Sequence, residues 1–185
     1  MAAVLLSVAG LSGWPQAQAA AAPAVLIAQA SGAKPTLQGR QGNYSASVFV
    51  AVPAKRAWAV LVNYEAMAGV MPDIKEAKVL SRKGSVAELQ QTYQAPYTFG
   101  QRIKAVLTMR EQAPRQLSYE LVRGDQIRQL RGTWTITPVN GGVIVRHQIQ
   151  IDPVVPGFVR PLYYELTEAN LRQSMAILKR LMEQG

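Results

Sequence analysis

From Asn43 onward the chain switches between two hydrophobic periods, and each switch marks an element. Val48, Val50 and Val52 share one side of an extended stretch and Phe49 lies on the other, so 43–52 reads as a strand. Pro53 ends it, because proline donates no ladder hydrogen bond and suits the first turn of a helix. Over 54–62 the spacing becomes helical, with Ala57, Leu61 and Tyr64 recurring beside Trp58 and Val62. A second short helical turn, 65–71, stops at Pro72. Extended segments are then predicted at 74–82, 86–95, 101–112, 116–122, 126–138 and 143–152. The turn residues between them are Lys83-Gly84-Ser85, a Pro96–Gly100 loop, Ala113-Pro114-Arg115, Arg123-Gly124-Asp125 and Asn140-Gly141-Gly142. Pro153 to Pro156 break the pattern once more, and 157–184 reads as one long helix. On it Leu171, Met175, Leu178 and Met182 form one stripe, and Tyr163, Leu166, Asn170, Ser174, Ile177 and Leu181 the next.

The order strand, two short helices, six strands, long helix fixes the class as α+β. Hairpin-length connections make the sheet antiparallel. Clear alternation within the strands says that one face is wet: Ile103, Ala105, Leu107 and Met109 oppose Arg102, Lys104, Thr108 and Arg110. The dry face must be covered, and the C-terminal helix is the element long enough to do it. A curved seven-stranded antiparallel sheet around that helix is therefore expected, with a gap between the two as the candidate site.

The first 33 residues form a different kind of sequence. They carry no charged side chain, the first being Lys34. Ala2 to Leu11 is apolar, Trp14-Pro15 interrupts it, and Ala17-Gln18-Ala19 follows, with Ala28-Gln29-Ala30 as a second small-x-small site. That is the form of an export signal, although no Lys or Arg precedes the apolar core. Pro15, Gln16, Gln18 and Pro23 interrupt the ~20 apolar residues that a spanning helix needs. Residues 1–33 are expected to be an apolar leader, 34–42 a linker, and 43–185 the folded domain. The location expected is outside the cytoplasm, in a periplasmic or lumenal space, in part at a membrane.

Composition narrows the chemistry. The 185-residue chain has no cysteine and one histidine, His147, which excludes disulfide scaffolds, thiolate metal sites, cysteine nucleophiles and any site needing two imidazoles. Phosphate-binding glycine loops and the nucleophile elbow are absent, no paired carboxylates stand out, and no metal or other cofactor is expected. Twenty basic against eleven acidic residues give a net charge of +9. Arg102, Lys104, Arg110, Arg128, Arg131, Lys179 and Arg180 could draw the protein to anionic lipid headgroups at ~1 kcal/mol each. Nucleic acid is disfavoured as a partner, because the outer strand positions carry Thr, Gln and Arg rather than interleaved aromatics.

The inward positions point instead to an apolar guest. Tyr93, Tyr119, Trp134 and the inward Leu107, Met109 and Leu130 lie on the dry sheet face; Tyr97 and Phe99 sit in the 96–100 loop. Phe158, Tyr163 and Leu166 stand at the entry to the last helix, and Tyr164 beside them. Aromatic bodies with polar tips suit a ligand that is mostly apolar with a few oxygens. Asn170 and Ser174 interrupt an apolar helix stripe; in a filled core they would need partners, whereas a cavity supplies water or ligand. His147 shares its face with Val143, Val145, Ile149 and Ile151, where an imidazole could be a core residue, a ligand contact or an acid/base.

Two blocks of sequence carry a family likeness. The segment 57–80, with Trp58, Asn63-Tyr64, Met71-Pro72 and Val79-Leu80, resembles the opening of the START-type SRPBCC superfamily, in particular its polyketide cyclase/dehydrase-like and coenzyme-Q-binding members. Arg131-Gly132-Thr133-Trp134, Pro138, Gly141-Gly142, Pro153 and the helix from Asn170 to Leu181 extend the resemblance over about residues 44 to 183. The family often has an acidic residue where Asn63 stands. The likeness implies a helix-grip fold that holds a lipid, sterol, isoprenoid quinone or polyketide. The function expected is that of a non-enzymatic carrier of a lipid or isoprenoid quinone. The alternatives are a cyclase/dehydratase-like lyase using His147 with a pocket tyrosine, or a structural subunit with a filled core.

Overall fold

A computed structural model describes residues 34–184. The expected leader therefore lies outside the described residues. The elements run β1 (Thr36–Arg40), β2 (Asn43–Val50), α1 (Ala54–Leu61), β3 (Ile74–Lys83), β4 (Val86–Tyr93), β5 (Ile103–Gln112), β6 (Gln116–Gly124), β7 (Ile127–Val139), β8 (Gly142–Pro153) and α2 (Arg160–Glu183). Short 3-10 turns occupy Glu65–Met67, Pro96–Thr98 and Gly157–Val159. The strands form one antiparallel sheet in the order β1-β2-β8-β7-β6-β5-β4-β3. The sheet curls around α2, which makes this a helix-grip fold.

The sheet has eight strands, not the expected seven, because part of the stretch read as a linker is β1. β1 pairs with β2 through a two-residue turn, Gln41-Gly42, with φ of 52° and 87°. Both central residues at positive φ are what a tight hairpin turn needs. Gly42 is required twice over, since a Cβ there would lie 2.2 Å from the Ile151 carbonyl oxygen. Four of the five β1 residues are exposed. This edge strand is held by its ladder rather than by burial, so it shows no inside/outside alternation.

The packed core lies at one end of the gap. Val48, Val50, Val143 and Val145 from β2 and β8 meet Ala57, Trp58 and Leu61 of α1 and Met175, Leu178 and Met182 of α2. Three polar contacts fasten the same end. Arg56 Nε donates to the Met182 carbonyl at 3.0 Å, the Ala51 amide to Glu183 Oε1 at 3.0 Å, and Lys179 Nζ to the Phe49 carbonyl at 2.9 Å. The last turns of α2 are thus pinned to the sheet. Its first half is left standing over the inner face of β4 to β8, and the candidate site is the space beneath it.

Candidate functional site

That space is a cavity of about 190 Å³ between the inner sheet face and α2. Side chains leave this space unfilled, which tells against a filled core. Leu107, Met109 and Leu130 line it from the sheet together with Tyr93, Tyr119, Trp134 and His147. Tyr163, Asn170 and Ser174 line it from the helix, and Phe99 from the loop. These eleven expected residues are therefore brought together. An apolar cavity of ~150 Å³ takes up a molecule the size of benzene, so this one admits about one ring or a short alkyl segment without rearrangement.

Three expectations need correction or qualification. Phe158 does not reach the cavity: it sits on the Gly157–Val159 turn ahead of α2 and is 87% exposed. Leu166 is half-buried against Tyr163 and Ala95, outside the cavity lining. Thr167 takes its place, because the helix row that faces inward is Tyr163, Thr167, Asn170 and Ser174. Thr167 tolerates burial by donating its hydroxyl to the Tyr163 carbonyl, one turn back, at 2.8 Å. The Tyr97 side chain lies outside those described.

The centre of the cavity is built by three neighbouring strands. Trp134 of β7 pairs directly with His147 of β8, and the two rings stack with centroids 3.7 Å apart and planes nearly parallel at 4°. Tyr119 of β6 pairs with Gly132 of β7. With no side chain at Gly132, the Tyr119 ring crosses β7 and its Oη lies 2.7 Å from His147 Nε2. Burial holds the imidazole neutral, lowering its pKa to about 3. Burial, with lesser help from Tyr93 and Asp73, pushes the Tyr119 phenol well above its usual value. The protonated phenol can then donate to Nε2, leaving the ring proton on Nδ1.

Further neutral groups complete the lining. Gln91, on the same inward row as Leu89 and Tyr93, accepts from the Tyr93 hydroxyl. That alternation could have marked Gln91 from sequence. Asn170 is 8% exposed, and neither it nor Ser174 has a side-chain hydrogen bond to the described protein, so both present polar atoms to the cavity. At the far side Tyr64 donates to Glu111 Oε1 at 2.7 Å, and Arg82 donates to the same oxygen at 2.8 Å while lying over the Tyr64 ring. Asp73 also lines the cavity.

Two exposed residues among the lining, Phe99 and Gln126, mark the mouth. It lies between the loop after β4, the β6–β7 turn and the segment after β8. Gln126 Nε2 bridges this opening to Gln101 Oε1 at 2.7 Å. Phe99 and Gln126 both have positive φ, 53° and 56°, which is uncommon outside glycine. No group of three potential metal ligands is assembled among the described residues.

This architecture agrees with the comparison to known families. The profile described as polyketide cyclase/dehydrase and lipid transport matches residues 41–183. The chain belongs to that family. Solved structures with the same fold include a START superfamily protein of Mycobacterium smegmatis, 22% identical, with 76% of this chain and 96% of that one covered at a TM-score of 0.60. The STAR-related lipid transfer protein of Xanthomonas axonopodis is 16% identical, with 81% and 99% covered at 0.61. The Zhui aromatase/cyclase of Streptomyces sp. R1128 is 12% identical, with 80% and 94% covered at 0.60. No curated protein matches the sequence. Polyketide cyclase/dehydrase family membership thus spans lipid carriage and ring-forming chemistry, and the cavity has to carry the distinction.

Proposed function

We propose that the protein binds and carries a hydrophobic small molecule, of the lipid or isoprenoid-quinone kind, with one ring or a short alkyl segment of it seated in the cavity under α2 as it stands and the remainder admitted by movement of α2 and the mouth. The observation that carries this reading is a largely apolar void with a mouth and a few neutral hydrogen-bonding groups at its centre. Moving apolar ligand surface out of water into such a void is favourable by roughly 25 cal/mol per Å². Native mass spectrometry of the gently purified protein is expected to show a co-purifying hydrophobe. A protein that emerges empty and takes up no apolar fluorescent probe would end this reading.

A second reading, a cyclase/dehydratase-like enzyme, is favoured by one observation: an imidazole and a phenol in hydrogen-bond contact inside the cavity. His147→Ala separates the two. For a carrier it leaves probe binding within a few-fold of the original; for the enzyme it abolishes turnover of a polyketide substrate.

The carrier reading also needs a place for handover, and we place it at an anionic membrane, with the protein exported to meet it. Of the eight large hydrophobic residues exposed among those described, six lie at the mouth end: Val70, Phe99, Val122, Val154, Phe158 and Leu162. Arg128 and Arg160 stand beside them and share one carboxylate, Asp152, at 3.8 and 3.5 Å. Apolar prongs set among cations suit an anionic bilayer surface. Phe158→Asp is expected to reduce co-sedimentation with phosphatidylglycerol vesicles several-fold. Val139→Asp, at the opposite end of the sheet, is expected to leave it unchanged. Equal losses from both, or none from Phe158→Asp, would remove the rim from this role.

A further inference from the structure

We infer that the cavity selects uncharged ligands, accepting an alcohol, ketone, ester or quinone oxygen and rejecting carboxylate and phosphate groups. This rests on the reading of the cavity as a ligand site. The chain carries 20 basic residues and a net charge of +9, yet no Lys or Arg is among the described residues that line the cavity. Strand alternation explains the separation: Lys104, Arg110 and Arg131 occupy outward positions next to inward Ala105, Met109 and Leu130, so the basic side chains project from the opposite face.

What faces the ligand is neutral or acidic. His147 is buried without a carboxylate partner and bonds to the Tyr119 phenol instead. Gln91, Asn170 and Ser174 offer amide and hydroxyl groups, which can bond an uncharged oxygen as donor or acceptor. Asp73 is the one carboxylate among the described lining residues, and it adds no positive charge to set against an incoming anion. A carboxylate or phosphate entering this space would lose its hydration and find no counter-charge among the described lining residues. A hydroxyl or carbonyl would exchange water for Asn170, Ser174 or the Tyr119–His147 pair at little net cost. The same protein can therefore attract an anionic surface from outside while refusing an anion within.

The test compares two probes of equal chain length, 1-octanol and octanoate, as competitors of a neutral apolar fluorescent probe bound to the full chain at pH 8. The alcohol is expected to compete at least about tenfold more strongly than the carboxylate. Asn170→Lys, which puts a cation at the cavity wall, is expected to narrow or reverse that ratio. Equal competition by the two probes, or stronger competition by octanoate, overturns the inference while leaving a binding cavity in place. Failure of the fluorescent probe itself to bind overturns the carrier reading beneath it.

Discussion

Lowering the pH from 7 to 4.5 is expected to remove roughly 2–3 kcal/mol of folding stability through His147 alone. Its pKa in the folded protein is about 3, because burial disfavours the imidazolium. In the unfolded chain it returns to ~6.5. Between those values the unfolded state takes up a proton that the folded state refuses, so protons favour unfolding. Stability from this source is at its full value above ~6.5, falls by up to ~1.4 kcal/mol per pH unit below it, and levels off once the folded-state value is passed. His147 is the one histidine in the chain, so the slope between pH 6.5 and 5 can be assigned to it. Urea unfolding at stepped pH values checks this in the parent and in His147→Gln, whose amide cannot charge. The variant is expected to be nearly flat where the parent slopes. A parent that is flat over the same range would show that the imidazole is not held neutral. The result bears on chemistry as well. A base is most effective with a pKa near the working pH, so an imidazole depressed this far serves better as a hydrogen-bond acceptor for Tyr119 or a ligand.

The strands and their inward faces were legible because burial on one side forces period-two alternation, as in Ile103, Ala105, Leu107 and Met109. β1 was not legible, since Thr36–Arg40 has no buried side and its pairing depends on the Gln41-Gly42 turn. The exchange of Leu166 for Thr167 has a similar cause. Hydrophobicity favours leucine inside, but helix geometry carries the row from Tyr163 through position 167, and threonine satisfies its hydroxyl locally. An aromatic residue beside a helix entry suggests a cavity wall, but the turn that carries Phe158 leaves its ring in solvent, a placement with no signature in local hydrophobicity. Sequence placed Tyr119 and His147 on the dry face but could not join them. Their contact depends on both hairpin registers across β7 and on what stands at Gly132. Nor could it tell a void from a filled core, which depends on how α2 is pinned at its far end.

Gly132→Ala adds one methyl group and is expected to disable the centre of the cavity. A Cβ at this position would stand 2.4 Å from Tyr119 Oη, 2.6 Å from Tyr119 Cζ and 2.5 Å from the Gln148 carbonyl oxygen. The phenol can swing away; the carbonyl belongs to the backbone of β8 and yields less readily. Overpacking of this kind costs about 1–3 kcal/mol, or a fall in Tm of roughly 2–12 °C for a chain of this size. Because the ring that swings is the one bonded to His147 Nε2, that bond is lost too, and a buried acceptor left unsatisfied adds about 1–3 kcal/mol. Binding of an apolar probe should fall in parallel. A double-mutant cycle with Tyr119→Ala isolates the cause. With the ring removed, the alanine is expected to cost distinctly less, and what remains belongs to the Gln148 carbonyl. An equal cost in both backgrounds would mean that the ring does not depend on the space above Gly132, and that Tyr119 reaches His147 by some other accommodation of the sheet.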